Sequence, residues 1–445
     1  MTQQYVDSAL QSAIEHHQAG RLAEAETIYR QILLHQPNHA DALHLLGVAT
    51  LQFDRPDEAL ELISKAIEIN PTAAEYQNNL GNVLVRMDRY DQAVGAFGRA
   101  VDLRPDYPKA LSNLGNALRA TGQHEAALAA FRRTLALSPG YSEGHWNLAL
   151  SLLLLGDFEQ GWKEYEWRRQ IKAPPPRPFQ QPRWDAAELH GKTILIAGEG
   201  GFGDAIQFVR YVPMVAKRGG RVILRFQKEL RRLMAKVPGV EGICGLDEPV
   251  PSFDVYCPLF SLPLVFGTTL ETIPADVPYL FGDGSRKLQS GARHVGLVWA
   301  GSSEHKNDRN RSIPLRELSA LADVPVMLHS LQVAGATAAQ IREIPGLKLI
   351  DHSSELRDFA DTAALIEALD LLITVDTSVA HLAGAMGKPV WVLVPDPPEW
   401  RWMLNRNDSP WYPTMRLFRQ ETIGDWTAPI RRIAAELRSL NSIHT

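Results

Sequence analysis

Residues 373–395, ITVDTSVAHLAGAMGKPVWVLVP, decide how the C-terminal part of the chain folds. Leu371 to Val375 is apolar and rich in β-branched residues, so it reads as a buried strand. Asp376, Thr377 and Ser378 follow, and each can cap a helix. Val379 to Met386 is small and apolar and reads as a short helix stopped by Gly387. Val390 to Val394 is a second strand, closed by Pro395. The stretch is a β-turn-α-β unit with hydroxyls and free backbone N–H groups at a helix N-terminus. Such an end attracts phosphate, because the unpaired N–H groups and the helix dipole both favour an anion. An ordinary capped unit that binds nothing has the same pattern.

Upstream, α/β alternation continues. His294 to Trp299 is a buried strand that opens a new α/β domain, and Ala300 to Ser312, AGSSEHKNDRNRS, is the loop beyond its C-terminal end. Ligands bind at such ends in α/β folds. Lys306, Arg309 and Arg311 can neutralise a diphosphate there, Arg bidentately and Lys as a point charge. Further elements read as helix 315–321, strand 326–331, helix 334–344, strand 347–350 and helix 358–369, with His329, Ser330, Gln332 and Asp351 as candidate cleft residues. Residues 396–411, DPPEWRWMLNRNDSPW, read as a loop at the cleft mouth whose aromatics can stack on sugars, with core packing as the competing reading. The last helix is 428–440.

The preceding α/β segment starts with strand Thr193 to Ala197, followed by GEGGFGD. Gly198, Gly200 and Gly203 match G-x-G-x-x-G between a strand and a helix, which raises an NADP-binding oxidoreductase as an alternative. The next strand, 221–226, ends in Arg225-Phe226-Gln227 rather than in the acid that holds a ribose 2′-OH, although an Arg there suits a 2′-phosphate. Residues 204–217 read as one amphipathic helix and 281–291 as a hinge. Residues 172–183, KAPPPRPFQQPR, are an extended proline-rich connector, after which Trp184 and Leu189 dock on the next domain.

The N-terminal third repeats. Pro37, Pro71, Pro105 and Pro139 recur at a spacing of 34, as do Ala25, Ala59, Ala93 and Ala127, and Gly47, Gly81 and Gly115. Three residue types in one phase define tetratricopeptide helix-turn-helix units. Four units span 6–39, 40–73, 74–107 and 108–141, and an irregular fifth runs from 142 to about 170. Trp146, Trp162 and Trp167 make that fifth unit an aromatic cap, which reads as packing on the next domain, with a ligand site as the competing reading. Asn78, Asn79, Asn113, Asn116 and Asn147 lie on or near the first helices of successive units and can clamp an extended peptide backbone, or form a solvated polar face.

At 445 residues the chain exceeds one core. Its net charge of -5 argues against non-specific nucleic-acid binding. Cys244 and Cys257 sit in apolar surroundings and read as buried thiols of a reducing compartment. The start has no basic n-region before an apolar run, and no apolar run is long enough to span a bilayer. The expectation is a cytoplasmic protein. No D-x-D pair or zinc-type Cys/His spacing occurs, so no metal and no cofactor are expected.

The motif Asp-Thr-Ser-x-x-His-x-Ala-x-Ala-x-Gly-x-Pro over 376–389 resembles the C-terminal nucleotide-sugar motif of heptosyltransferase-like, family 9 glycosyltransferases. The resemblance implies α plus α/β architecture here: a tetratricopeptide superhelix (1–171), a linker (172–188), and a GT-B fold of two Rossmann-like halves (189–288 and 289–445). It also implies an inverting, metal-independent transfer from a nucleotide-sugar donor. Gly203-Asp204 matches the family's Gly-Asp loop, which makes Asp204 the implied catalytic base beside the glycine loop of Gly200, Gly201 and Gly203. Arg311 before Ser312-Ile313-Pro314 matches the family's basic residue before a Pro. Asp376, Thr377, Ser378 and His381 are the implied donor-binding residues, with His381 also open to a structural reading. The fusion to repeats is also similar to O-linked N-acetylglucosamine transferases, in which repeats present a protein acceptor. A non-catalytic repeat scaffold with a nucleotide-sugar-binding module is the alternative from another class.

Overall fold

The computed structural model describes residues 3–171, 179–289, 291–305, 307–333, 344 and 346–440. The chain divides into two compact units. One takes the chain up to Leu152 and a short piece from Trp167; the other takes Leu153–Glu166 and the chain beyond the linker.

The first unit is built from antiparallel helix pairs. Gln3–Gln18 pairs with Leu22–His35, Ala40–Gln52 with Pro56–Ile69, Ala74–Arg86 with Tyr90–Leu103, and Pro108–Ala120 with His124–Leu137. The periodic residues explain the pairing. Ala25, Ala59, Ala93 and Ala127 are fully buried where paired helices touch. A Cβ on Gly81 would sit 2.5 Å from the Phe97 ring, and one on Gly115 equally close to Phe131, so each glycine admits the aromatic of its partner helix. Along the first helices runs a polar ladder. Asn79 Nδ2 meets His44 Nε2 at 2.7 Å, Asn113 Nδ2 donates to Asn78 Oδ1 at 2.9 Å, and Asn147 Nδ2 donates to Ser112 Oγ at 3.1 Å.

The expected fifth pair is divided. Ser142–Leu155 begins in the repeats, but Phe158–Tyr165 belongs to the second unit, so the expected boundary at 171 does not follow the compact units. Trp162 is buried there against Phe208, Trp400 and Trp411, and its Nε1–H donates to Thr268 O at 3.0 Å. Trp167 stays with the repeats, its ring stacked 3.8 Å from that of His145.

The second unit holds two parallel sheets. β1 (Thr193–Ala197), β2 (Arg221–Phe226), β3 (Val240–Gly245) and β4 (Val255–Pro258) lie in the order β3-β2-β1-β4. β5 (His294–Val298), β6 (Met327–Ser330), β7 (Leu349–Asp351), β8 (Leu371–Val375), β9 (Val390–Val394) and β10 (Met415–Arg419) lie in the order β10-β9-β8-β5-β6-β7. β5, β8 and β9 are buried at every position, as expected of parallel strands covered on both faces. The sequence did not signal β3 and β10. Both are edge strands, and Glu241, Gly242, Arg416 and Arg419 interrupt their apolar runs.

The single helix expected over 204–217 is three pieces: Phe202–Phe208, a tight turn at Val209–Tyr211, and Val212–Ala216 with Pro213 in its first turn. Leu315–Leu321 is 3-10 rather than α. The helix expected over 334–344 falls almost wholly outside the described residues, as does 172–178 of the linker. Beyond it, Pro182–Trp184 runs beside β4: Trp184 N donates to Tyr256 O at 2.8 Å and Tyr256 N to Pro182 O at 3.1 Å. Trp184 and Leu189 are buried, as anticipated.

Candidate functional site

Each sheet reverses its winding once, between β1 and β4 in the first and between β5 and β8 in the second. Loops that leave neighbouring strands in opposite directions open a crevice at such a point, and α/β proteins bind ligands there. The loops after β1, β5 and β8 meet in one cleft of about 740 Å³. Gly201, Gly203 and Asp204 line it from the first sheet, and Arg311, Asp376, Thr377, Ser378 and His381 from the second.

Thr377 is the N-cap of the Ser378–Ala385 helix and has extended backbone. Its hydroxyl makes no capping bond and instead meets Thr374 Oγ1 at 3.1 Å. The helix N-terminus therefore faces the cleft without a side chain of its own closing it. Arg311 stands beside it. Its Nη1 donates to Asp376 O at 3.0 Å and its Nε to Asp308 Oδ1 at 3.3 Å, which fixes a mostly buried guanidinium at the cleft wall. Gln332 fastens the same loop: it accepts from Ala300 N and donates to Ala300 O, both at 3.0 Å.

His381 is buried, its Nδ1 lies 3.0 Å from Tyr412 Oη, and its ring stacks on Trp402. Burial, reinforced by the Arg401 and Arg210 charges, holds it well below the usual histidine range, so it is neutral near pH 7. Gly203 is small for a packing reason, since a Cβ there would lie 2.9 Å from His381 Cδ2. The Phe202–Phe208 and Ser378–Ala385 helices thus touch across the cleft floor.

Asp204 lines the cleft in the first turn of its helix. Its Oδ2 accepts from Gly201 N at 2.8 Å, as a first-turn acid does. Its Oδ1 accepts from Arg401 Nη2. Gly200 turns the chain just before, with a φ of +72°, and does not line the cleft; a Cβ there would collide with the Asp204 carboxylate.

Arg401 ties the two halves together. It is mostly buried and donates to Asp204, to Gln207 Oε1 and to Glu399 Oε1. Glu399 also accepts from Arg401 N at 2.9 Å and lines the cleft. Burial pushes its carboxyl up to about 7, helped by Asp376 and Asp204 and opposed by Arg401. About a third of the Glu399 side chain is open, and the residue lines the cleft. Sequence reasoning gave neither residue a role. The available signal was a pair of charges in EWRW, a segment otherwise apolar enough to be buried.

Several expected positions lie elsewhere. Lys306 is outside the described residues. Arg309 is exposed and does not line the cleft. Trp400, Trp402 and Trp411 are core residues rather than a cleft rim, each less than 5 % exposed. The rings of Trp400 and Trp411 pack in the aromatic cluster around Trp162, and that of Trp402 stacks on His381. Of the strand-end candidates, Gln332 lines the cleft and His329, Ser330 and Asp351 do not. Arg225 donates to Leu246 O at 2.6 Å and packs over Phe179.

Fold and site together define a helical-repeat protein joined to an α/β unit with a cleft between two parallel sheets. The tetratricopeptide repeat family matches residues 16–82, 78–142 and 122–161, so the N-terminal region is a tetratricopeptide array. Protein FlbA of Caulobacter vibrioides is 28% identical over 320 residues, covering 64% of this chain and 53% of FlbA. The chain therefore spans about half the length of that curated relative. Among solved structures, PilW, described as a widely conserved type IV pilus biogenesis factor, is 25% identical with a TM-score of 0.36, covering 38% of this chain and 80% of PilW. YrrB, described as a TPR protein with an unusual peptide-binding site, is 21% identical with a TM-score of 0.32, covering 37% of this chain and 84% of YrrB. MamA from Desulfovibrio magneticus RS-1 is 18% identical with a TM-score of 0.32, covering 37% and 90%. No helix among the described residues is long and apolar enough to cross a membrane.

Proposed function

We propose that the α/β unit is a GT-B glycosyltransferase of the family 9 type, and that the repeats hold a peptide or protein partner, possible acceptors included. The observation that carries this reading is the convergence, in one cleft, of a fixed guanidinium, a helix N-terminus and carboxylates. A nucleoside diphosphate needs the first two and an acceptor hydroxyl needs the third. Arg311 and the N–H groups at Ser378 and Val379 face the departing diphosphate and stabilise the charge that grows on it. A cleft carboxylate takes the acceptor proton as the acceptor oxygen attacks the donor C1 and the bond to the diphosphate breaks on the opposite side, with inversion. The resemblance to family 9 assigns that proton to Asp204. On the repeats, the half-buried Asn79, Asn113, Asn116 and Asn147 line the first helices where an extended backbone would lie, whereas Asn78 is buried and bonded within the ladder.

The test is a thermal-shift screen of UDP, GDP, ADP, CMP and their sugar conjugates against wild type and Arg311→Ala. A ligand that binds the native state raises its midpoint by mass action. One nucleotide class should stabilise wild type by several degrees and the variant far less, and that class should then be turned over. If none stabilises either protein, the reading fails. A second reading, a nucleotide-sugar-binding scaffold without turnover, is favoured by one fact: both oxygens of Asp204, and both of Glu399, already hold structural bonds. Binding without any donor hydrolysis or transfer would select it. The oxidoreductase alternative has less support, because Arg225 is committed to Leu246 O; NADP, added to the screen, stabilising the protein when none of the other ligands does would revive it.

A further inference from the structure

Two carboxylates from opposite halves of the cleft share one guanidinium. Asp204 comes from the loop after β1, Glu399 from the segment after β9, and Arg401 lies between them. They are not equivalent. Asp204 is locked to the glycine loop: Oδ2 holds the Gly201 N–H, Oδ1 holds Arg401, and the carboxylate rests where Gly200 has no side chain. Moving Asp204 toward a substrate would uncap the Phe202–Phe208 helix and release Arg401. Glu399 also has both oxygens bonded, but both to Arg401, whose backbone N–H it caps in the three-residue turn Trp400–Trp402, so its bonds reach no other element, and it opens into the cleft.

We infer that Glu399 is the proton acceptor of this cleft, and that Asp204 is a positioning residue that holds Arg401 in place. This rests on the glycosyltransferase reading. In the step it serves, the acceptor O–H proton passes to a Glu399 carboxylate oxygen. The acceptor oxygen bonds to the donor C1, and the bonding pair of the C1–O bond leaves with the diphosphate. The carboxylic acid then returns its proton to water. The charges around Glu399 suit this exchange. Arg401 neutralises one carboxylate, but Glu399, Asp204 and Asp376 together outnumber it. Arg311 is turned toward Asp376 O and Asp308, the remaining cleft histidine His305 is held below its usual range by burial, and buried His381 is neutral. Burial, with Asp376 and Asp204 beside it and Arg401 opposing, raises the Glu399 carboxyl to about 7. A base with that proton affinity gives the best compromise between being free and being strong at physiological pH.

The experiment compares wild type, Glu399→Gln and Asp204→Asn in two readouts. The first is carbon-13 NMR of Glu-labelled full-length protein. A carboxyl titrating near neutrality in wild type should vanish in Glu399→Gln and shift in Asp204→Asn; its absence from wild type overturns the inference. The second is the pH dependence of turnover with the nucleotide-sugar that stabilises wild type in the screen. Glu399→Gln should lose about 10²- to 10⁴-fold in kcat, keep its stabilisation by the nucleoside diphosphate, and lose the acid limb. Asp204→Asn should keep an acid limb with a displaced midpoint. If Asp204→Asn abolishes turnover while Glu399→Gln retains the wild-type limb, Asp204 is the base and the inference is wrong. If the carboxyl titrates near neutrality but no donor is bound or turned over, the transferase reading itself has failed, and the base role falls with it.

Discussion

Acidification should weaken the α/β unit through one histidine in particular. His329, on β6, is 2 % exposed and sits between two other imidazoles. His294 Nε2–H donates to Gln289 O at 2.7 Å, so a neutral His294 offers Nδ1 as an acceptor to His329 Nε2–H at 2.9 Å. His329 Nδ1 in turn accepts from His352 Nε2–H at 3.0 Å. Both nitrogens of His329 are thus used in the neutral form, and a second proton would set N–H against N–H. Burial, with the neighbouring imidazoles His352 and His294, pushes its pKa down to about 4. A depressed histidine binds its proton more readily when unfolded. Its contribution is therefore intact above the unfolded value and is lost as pH falls from there toward 4. With an unfolded value of about 6.5, the loss between about pH 7.5 and about pH 5 is roughly 2 kcal/mol.

The assay is urea unfolding at both pH values for wild type and His329→Gln, followed by tryptophan fluorescence. Eight of the ten tryptophans lie in the second unit, so this signal reports mainly that unit. Comparing the two proteins removes other titrating groups, including His381 and Glu399, the latter of which acts in the opposite direction because its pKa is raised. The stability advantage of wild type over the variant should shrink by about 2 kcal/mol on acidification. An advantage that is the same at both pH values would refute the argument.

Gly81→Ala and Gly115→Ala should each destabilise the repeats by about 1–3 kcal/mol, because the new methyl meets the Phe97 or Phe131 ring; helical circular dichroism on heating measures this. Trp162→Ala should cost about 3–5 kcal/mol in the fluorescence-detected transition of the second unit, and a loss confined to the helical signal of the repeats would contradict the placement of its helix. Gly203→Ala should cost about 1–3 kcal/mol and lower nucleotide stabilisation as well, since the methyl pushes His381 and the Ser378 helix turn away from the cleft floor. Unchanged midpoints with and without nucleotide would remove that contact from the account.

What the sequence made legible follows from how many residues share each signal. The repeats were readable because Pro and Ala recur over four units and Gly, in the same phase, over three. The central strands β1, β5, β8 and β9 were readable because burial on both faces demands continuous apolar runs. The edge strands β3 and β10 were not, because an edge tolerates Glu241, Gly242 and Arg416. Phe158–Tyr165 was assigned to the repeats by its spacing, but spacing records which helix precedes it and not which core its aromatics enter. The sheet reversals place Gly201, Gly203, Asp204, Arg311, Asp376, Thr377, Ser378 and His381 around one cleft, all of them drawn from the loops beyond strand ends or from the first turns of the helices that follow.

Arg401 shows where local reading ends. Its meaning depends on Asp204 and Gln207, nearly two hundred residues away, and no periodicity links them. A guanidinium inside EWRW looks like surface charge beside aromatic core. Only the fold reveals that Trp400 and Trp402 enter the core and hold Arg401 against a carboxylate from each half of the cleft. Gln207 is fully buried although polar, and its Oε1 is the third acceptor for the same cation. Removing Arg401 would leave two facing carboxylates with no shared counter-charge. The cleft floor is thus set as much by this one cation as by the helix contact at Gly203, and a substitution at Arg401 should disturb both halves at once.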